Sequence, residues 1–222
     1  LRGKSSSLSV QVDSAAKLDA WIDFNNNGTF DAAEKIAASV AVAAGANQIP
    51  FDAPAAAAIG KTFARFRVST AGGLGPTGTA DDGEVEDYQV TVLQDLEVTL
   101  PTGNGPDRAS IRKSGADVQV FNNFTANVLG ASPLEFTHAV IVHGAATEPD
   151  EIIVDYSFGG LFSVPGNIHL DGGASGNDTA LLVGVPGGNN TAQYHAGATS
   201  LGNASLTITD GATSSDVDLV GI

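Results

Sequence analysis

The residues best equipped for chemistry lie in one run, Asp23-Phe24-Asn25-Asn26-Asn27-Gly28-Thr29-Phe30-Asp31-Ala32-Ala33-Glu34. The run fits the calcium-loop pattern, with Asp or Asn at the first, third and fifth positions, glycine at the sixth and glutamate at the twelfth. Calcium takes roughly six to eight oxygen ligands at about 2.3–2.6 Å in a flexible cage. Asp23, Asn25 and Asn27 supply side-chain oxygens, Gly28 permits the sharp turn, and the Thr29 carbonyl continues around the ion. Asp31 binds directly or through water, and Glu34 closes the cage with both oxygens. The competing reading is an Asx-rich hairpin turn, because Asn-Asn-Asn-Gly is turn chemistry in any protein. Glu34 and the acidity of the chain favour the ion. The flank Leu18 to Phe24 reads as a strand, so the loop is expected on a β scaffold, holding a structural calcium ion.

A second acidic run, Asp81-Asp82-Gly83-Glu84-Val85-Glu86-Asp87, places five carboxylates in seven residues. Uncompensated, they would repel one another. Either Arg65 and Arg67 clamp Glu84 or Glu86 from a neighbouring strand, or Asp82 and Glu86 complete the first calcium site or form a second. Alternation sets Glu84 and Glu86 on one face and Val85 and Asp87 on the other.

Other candidates are weaker. Asp171-Gly172-Gly173-Ala174-Ser175-Gly176-Asn177-Asp178-Thr179 resembles one stretched copy of a β-roll calcium nonapeptide, but a Gly/Asn-rich turn between strands is the favoured reading. His138, His143, His169 and His195 lack zinc-ligand spacing, and His138 and His143 are expected on opposite sides of one strand. No nucleophile elbow is present. Carboxylate pairs such as Asp150/Glu151 and Asp216/Asp218 are common in any acidic β protein. With no cysteine, disulfides and thiol catalysis are excluded. No catalytic residues and no enzyme activity are expected. The Asn-x-Ser/Thr sequons at Asn123, Asn177, Asn189 and Asn203 are not expected to be glycosylated.

The elements that must position these groups read as all-β. Ser7 to Val12, Lys17 to Phe24, Ala64 to Ser69 and Tyr88 to Val92 alternate with period two between Gly, Asn, Pro or Asp clusters. The best helical candidate, Asp31 to Ala44, is Ala-rich, yet its Val40 and Val42 alternate as in a strand; Ala53 to Ile59 offers one turn at most. Trp21 is expected to plug the core. After Gln94-Asp95 the texture changes, and from residue 114 onward no Lys or Arg occurs. Short strands at Leu96–Leu100, Asp117–Phe121, His138–His143, Glu151–Tyr156, Asn167–Leu170, Ala180–Val185, Ala192–His195, Ala204–Thr209 and Asp216–Val220 recur there, each followed by Gly, Asn or Asp. The expectation is an N-terminal antiparallel β-sandwich over residues 1–94, then a second β-rich domain over 95–222, β-solenoid-like or a second sandwich.

Net charge is −15, which argues against nucleic acid and anionic membrane as partners. The longest apolar stretch, Ala37 to Ala44, is interrupted by Ser39 and too short to span a bilayer. Aromatics make up 6% of residues, without the exposed row that a sugar-binding face needs.

Leu18-Asp19-Ala20-Trp21-Ile22-Asp23-Phe24-Asn25, Ala64-Arg65-Phe66-Arg67-Val68-Ser69 and Gly83-Glu84-Val85-Glu86-Asp87-Tyr88 occur in that order. Together they make residues 7–93 resemble the GEVED domain, a β-rich module of large secreted bacterial proteins. The resemblance implies an extracellular, multidomain parent and supplies no activity. Under it the chain, which contains no methionine, is expected to be a piece of something longer. A structural or adhesive cell-surface module follows as the expectation, in a surface layer, stalk, filament or giant adhesin. Self-association is expected through the terminal strands Leu1 to Val12 and Ser205 to Ile222, or contact with other surface proteins. The alternative is a carbohydrate- or protein-binding accessory module of a secreted enzyme.

Overall fold

In the computed structural model, which describes residues 1–103, 105–173, 177–196 and 204–222, the strands fall into two compact units, Leu1–Leu93 and Gln94–Ile222. Both are all-β. No helix among the described residues is long and apolar enough to cross a membrane.

In the first unit, β1 (Ser5–Val12) turns Leu8, Val10 and Val12 inward and Ser5, Ser7 and Ser9 outward, and pairs antiparallel with β4 (Gly45–Asp52). Facing this two-stranded layer is a four-stranded antiparallel sheet. Its order is β3 (Lys35–Val42), β2 (Ala16–Ile22), β5 (Gly60–Ser69), β6 (Glu84–Val92). Leu18, Ala20 and Ile22 of β2 and Ala64 of β5 meet Leu8, Val10, Ile49 and Phe51 from the other layer. This is the expected sandwich, and burying those side chains supplies its main stabilisation.

The Ala-rich run from Asp31 to Ala44 is not helical. One 3₁₀ turn (Ala32–Glu34) leads directly into β3, because alanine takes whatever backbone its neighbours pair with, and β2 pairs with it. Ser39 interrupts that ladder at φ +51°, a bulge that sends its N–H to Asp19. Trp21 is buried, 2% exposed, but not in the inter-sheet core. Core-facing positions on β2 are even-numbered, so Trp21 lies with Asp19 on the outer face, under the Lys35 ammonium 4.8 Å from its ring centroid. The expectation that it plugs the sandwich is corrected accordingly.

The second unit is a sandwich of two mixed sheets. One has the order β10 (Asn127–Pro133), β9 (Asp117–Asn122), β8 (Arg108–Ser114), β12 (Glu151–Asp155), β14 (Thr179–Val183). The other runs β15 (Asn190–Ala196), β16 (Ala204–Asp210), β17 (Thr213–Val220), β13 (Ile168–Asp171), β11 (Thr137–His143), β7 (Gln94–Thr99). Between the sheets lie Val98, Val140, Val142, Ile168, Leu170 and Val217 from one side and Ile111, Val118, Val120, Ile152 and Val154 from the other. In the middle, β7, β11, β13 and β17 form parallel ladders, as do β8, β12 and β14. The chain alternates between sheets from β11 to β14, which produces the regular strand spacing that suggested a solenoid. Antiparallel strands flank those ladders (β9 and β10 in one sheet, β15 and β16 in the other), so the architecture is a sandwich.

The strand edges bear on self-association. β16 and β17 each have partners on both sides, whereas among the described residues β1 pairs only with β4. Of the two terminal segments expected to offer an edge, the one within Leu1–Val12 does so.

Candidate metal centre

The run from Asp23 to Glu34 leaves the end of β2 and is anchored to β5 by the Asp23 N–H on the Phe63 carbonyl (3.0 Å) and the Thr62 hydroxyl on the Asp23 carbonyl (2.6 Å). Its side chains turn inward on their own loop. Asp23 accepts the N–H groups of Asn27 (3.1 Å) and Gly28 (2.9 Å), one on each oxygen. Glu34 accepts Asn25 N–H on Oε1 (3.1 Å) and Asp31 N–H on Oε2 (2.9 Å). The Asp31 carboxylate receives the side-chain amides of Asn25 and Asn27, both at 3.2 Å. Asn27 Oδ1 accepts the Thr29 N–H and hydroxyl. Gly28 adopts φ +83°, the left-handed conformation this turn requires.

Asp23, Asn25, Asn27, Thr29, Asp31 and Glu34 thus stand in one loop, as their spacing predicts. Asp23 is 3% and Glu34 5% exposed, and no cationic side chain pairs with either among the described residues. Among the described residues no three Asp, Glu or His side chains are arranged to hold a metal by themselves. An ion here would need Asp23, Asp31 and Glu34 together with the amide oxygens of Asn25 and Asn27 and a backbone carbonyl. That is the hard oxygen set calcium takes. Each carboxylate oxygen accepting one N–H retains a second lone pair for a cation.

Asp82 and Glu86 do not join them. Asp82 accepts the Thr70 N–H (2.9 Å) and hydroxyl, which hold its carboxyl below the ordinary aspartate range. Thr70, just past the end of β5, lies seven residues from Phe63, about 23 Å at about 3.3 Å per residue. Glu86 pairs in register with Phe66, two strands across from β2 and about 10 Å further along. Both therefore stand apart from the Asp23–Glu34 loop.

The arginine clamp exists with different partners. Arg65 and Arg67 share the outer sheet face with Asp87 and Val85, opposite to Glu84 and Glu86. Arg65 forms a bidentate pair with Asp87 (2.7 and 2.6 Å), which raises the guanidinium pKa and lowers that of the carboxyl. It also donates to the Pro76 carbonyl, while buried Arg67 donates to the carbonyls of Gly75, Thr77 and Gly78. Together they strap the β5–β6 loop across the face.

Asp19, a residue the motifs did not single out, completes this strap. It is fully buried, 2.6 Å from the Lys35 ammonium, and accepts the N–H groups of Ser39 and Leu74, each at 3.0 Å. Burial raises its pKa, but Lys35 and those two N–H groups outweigh burial and hold it below the usual value. Its signal in the sequence was an aspartate at an outward position between Leu18 and Ala20, three residues from Ile22.

In the second unit the acids mostly staple loops. Asp150 accepts the N–H groups of Asp107 (2.9 Å) and Ala145 (2.6 Å), and Glu148 those of Gly103 and Gly105. Of the nonapeptide-like run, Asp171 accepts the Gly173 N–H and Asp178 the Asp150 N–H; residues 174–176 lie outside the described residues. Each described histidine side chain meets a carboxylate: His138 with Asp95 (2.9 Å), His143 with Glu97 (3.1 Å) and Asp171 (3.2 Å), His169 with Asp218 (3.2 Å). His138 and His143 share one face, contrary to strict alternation, because the ladder slips between Thr137 and Val140. The side chain of His195 lies outside what is described.

No curated protein and no solved structure matches the chain. Residues 17–91 match the family model of the GEVED domain, so the first unit carries a GEVED domain, as its three motifs predict.

Proposed function

We propose that the chain is a non-catalytic, extracellular module of a bacterial cell-surface protein, structural or adhesive in role, with its first unit stabilised by calcium in the Asp23–Glu34 loop. The observation that carries this reading is the pair of buried carboxylates, Asp23 and Glu34, facing one oxygen-rich loop with backbone N–H groups as their partners and no side-chain cation among the described residues. Buried charges are ordinarily paired or bound to metal. The GEVED match supports the surface setting, since the resemblance places such modules in secreted multidomain chains.

Calcium would act by mass action, binding the folded loop and not the unfolded one; tenfold above Kd that is worth about 1.4 kcal/mol. The test is a thermal melt in calcium and in excess chelator for the native chain, Asp23→Ala and Asp31→Asn. The expected result is a rise of several degrees in calcium that both variants lose. An unchanged native melt would reduce the loop to an Asx-rich turn.

A further inference from the structure

The two layers of the first unit are unequal. Two strands lie over four, and the uncovered part is the inner face of β6. Glu84, Glu86 and Tyr88 stand opposite Val68, Phe66 and Ala64, on the side of the sheet that elsewhere buries the core. Yet all three are exposed, Tyr88 at 54% with its ring edge-on to Phe66 (centroids 5.9 Å apart). The result is a groove of about 930 Å³ between β1 and β6. Leu8, Val10, Phe66, Val68 and Val90 form its apolar part.

Both rims are strand edges left unpaired among the described residues, where β1 bonds only β4, and β6 only β5. A free edge beside an apolar floor accepts an added strand, through main-chain hydrogen bonds and alternate side chains seated beneath. The floor is also polarised. Glu84 and Glu86 occupy one end and have no ion-pair partner among the described residues, while Tyr88 and Val90 occupy the other. Asp82 adds a third carboxylate at the acidic end.

We propose that this groove binds an extended segment of another polypeptide, which pairs with the free edge of β1 and lies over β6. Its inward positions carry Lys or Arg at two successive alternate residues above Glu84 and Glu86. Apolar residues follow at the next two, above Tyr88 and Val90. Charge decides against a second copy of this chain. Its net charge is −15, no Lys or Arg follows Lys113, and its two strands with several basic residues, β5 and β8, are each already paired on both sides. The proposal is independent of the calcium loop, which lies at the other end of β2 and β5 from Asp82.

The experiment measures binding of two labelled peptides to the full chain by fluorescence anisotropy, Lys-Thr-Lys-Thr-Val-Thr-Val and its counterpart with Glu for Lys. The expected result is saturable binding of the basic peptide, at least tenfold tighter than the acidic one and weakened by salt. The double variant Glu84→Lys/Glu86→Lys, whose sites are exposed and spare the core, reverses the preference. Bound peptide slows hydrogen exchange of β1 amides. Equal binding of the two peptides, no binding of the basic one at millimolar concentration, or concentration-dependent dimerisation that occupies the groove would each overturn the proposal.

Discussion

Lys35→Ala tests whether the outer face of the GEVED sheet is held by charge. In the native chain the Lys35 ammonium lies 2.6 Å from Asp19, donates to the Leu74 carbonyl at 3.2 Å and covers Trp21. Removing it leaves a fully buried carboxylate with two N–H donors and no counter-charge. Breaking a buried pair costs about 3–5 kcal/mol. The two remaining donors, and a lysine side chain one-quarter exposed, place this case at the lower end, about 3 kcal/mol at neutral pH. Trp21 is the chain's single tryptophan, so urea unfolding followed by its fluorescence reports on this unit alone. The pH dependence supplies the sign. With Lys35, Asp19 is depressed below 3.8, so its contribution is present above that value and lost as pH falls through the lower folded value. Without Lys35, burial acts against fewer opposing groups and raises Asp19. The variant then takes up a proton on the folded state as pH falls towards the ordinary carboxylate range, and recovers part of its loss. The destabilisation is therefore expected to be smaller at pH 4 than at pH 7. A loss under about 1 kcal/mol at pH 7, or one independent of pH, would refute the reasoning.

Two further substitutions probe single contacts. Gly83→Ala is expected to cost at least about 3 kcal/mol in the same fluorescence assay, because Gly83 sits at φ +95° and a Cβ there would collide with the Val68 carbonyl. Stability within about 0.5 kcal/mol of native would show that β5 and β6 yield at this point. In the second unit, Tyr156→Phe removes the buried hydroxyl that donates to Ser215 Oγ at 2.7 Å, while its ring contact with Phe162 persists. Burial pushes that phenol up to about 12, so it is neutral at any working pH. Leaving Ser215 without this donor is expected to cost about 1–2 kcal/mol, read from urea unfolding by circular dichroism, and no loss would remove the hydrogen bond from the account.

What was legible in the sequence depended on whether a signal was local. The twelve-residue loop, the three GEVED motifs and most strands announce themselves through spacing and period-two alternation, which need no knowledge of neighbours. Strands β3, β4, β8 and β10 were missed because their residues, Lys35–Val42, Gly45–Asp52, Arg108–Ser114 and Asn127–Pro133, alternate poorly in sequence, and pairing rather than propensity makes them strands. Trp21 and Asp19 went to the wrong place or unnoticed for one shared reason. Alternation says that two residues share a face but not which face is the core, and here the outer face is itself covered by the β5–β6 loop. His138 and His143 were separated by assuming an unbroken strand. One ladder slip undoes that inference, and a slip is set by the partner strand, β7, more than forty residues away.

The GEVED motif itself now divides by parity. Gly83, Val85 and Asp87 serve the outer face: Gly83 lets β6 enter against Val68, and Asp87 fixes Arg65, which with Arg67 and Lys35 straps the 70–78 loop over Trp21. Glu84, Glu86 and Tyr88 serve the inner face, where the layer above is too narrow to cover them. Five carboxylates in seven residues therefore do not add up to one acidic site. A strand whose two sides meet different surroundings separates them, giving Asp87 a guanidinium and leaving Glu84 and Glu86 facing open solvent. Acids on a core-facing side bring no stability to the isolated unit, since they sit where apolar residues would otherwise be selected by burial. Their presence there is accounted for by a contact that the isolated unit does not contain. The two faces are thus separable by mutation: Asp87→Ala is a stability change with the groove unaltered, and Glu84→Lys/Glu86→Lys is a binding change with the strap unaltered.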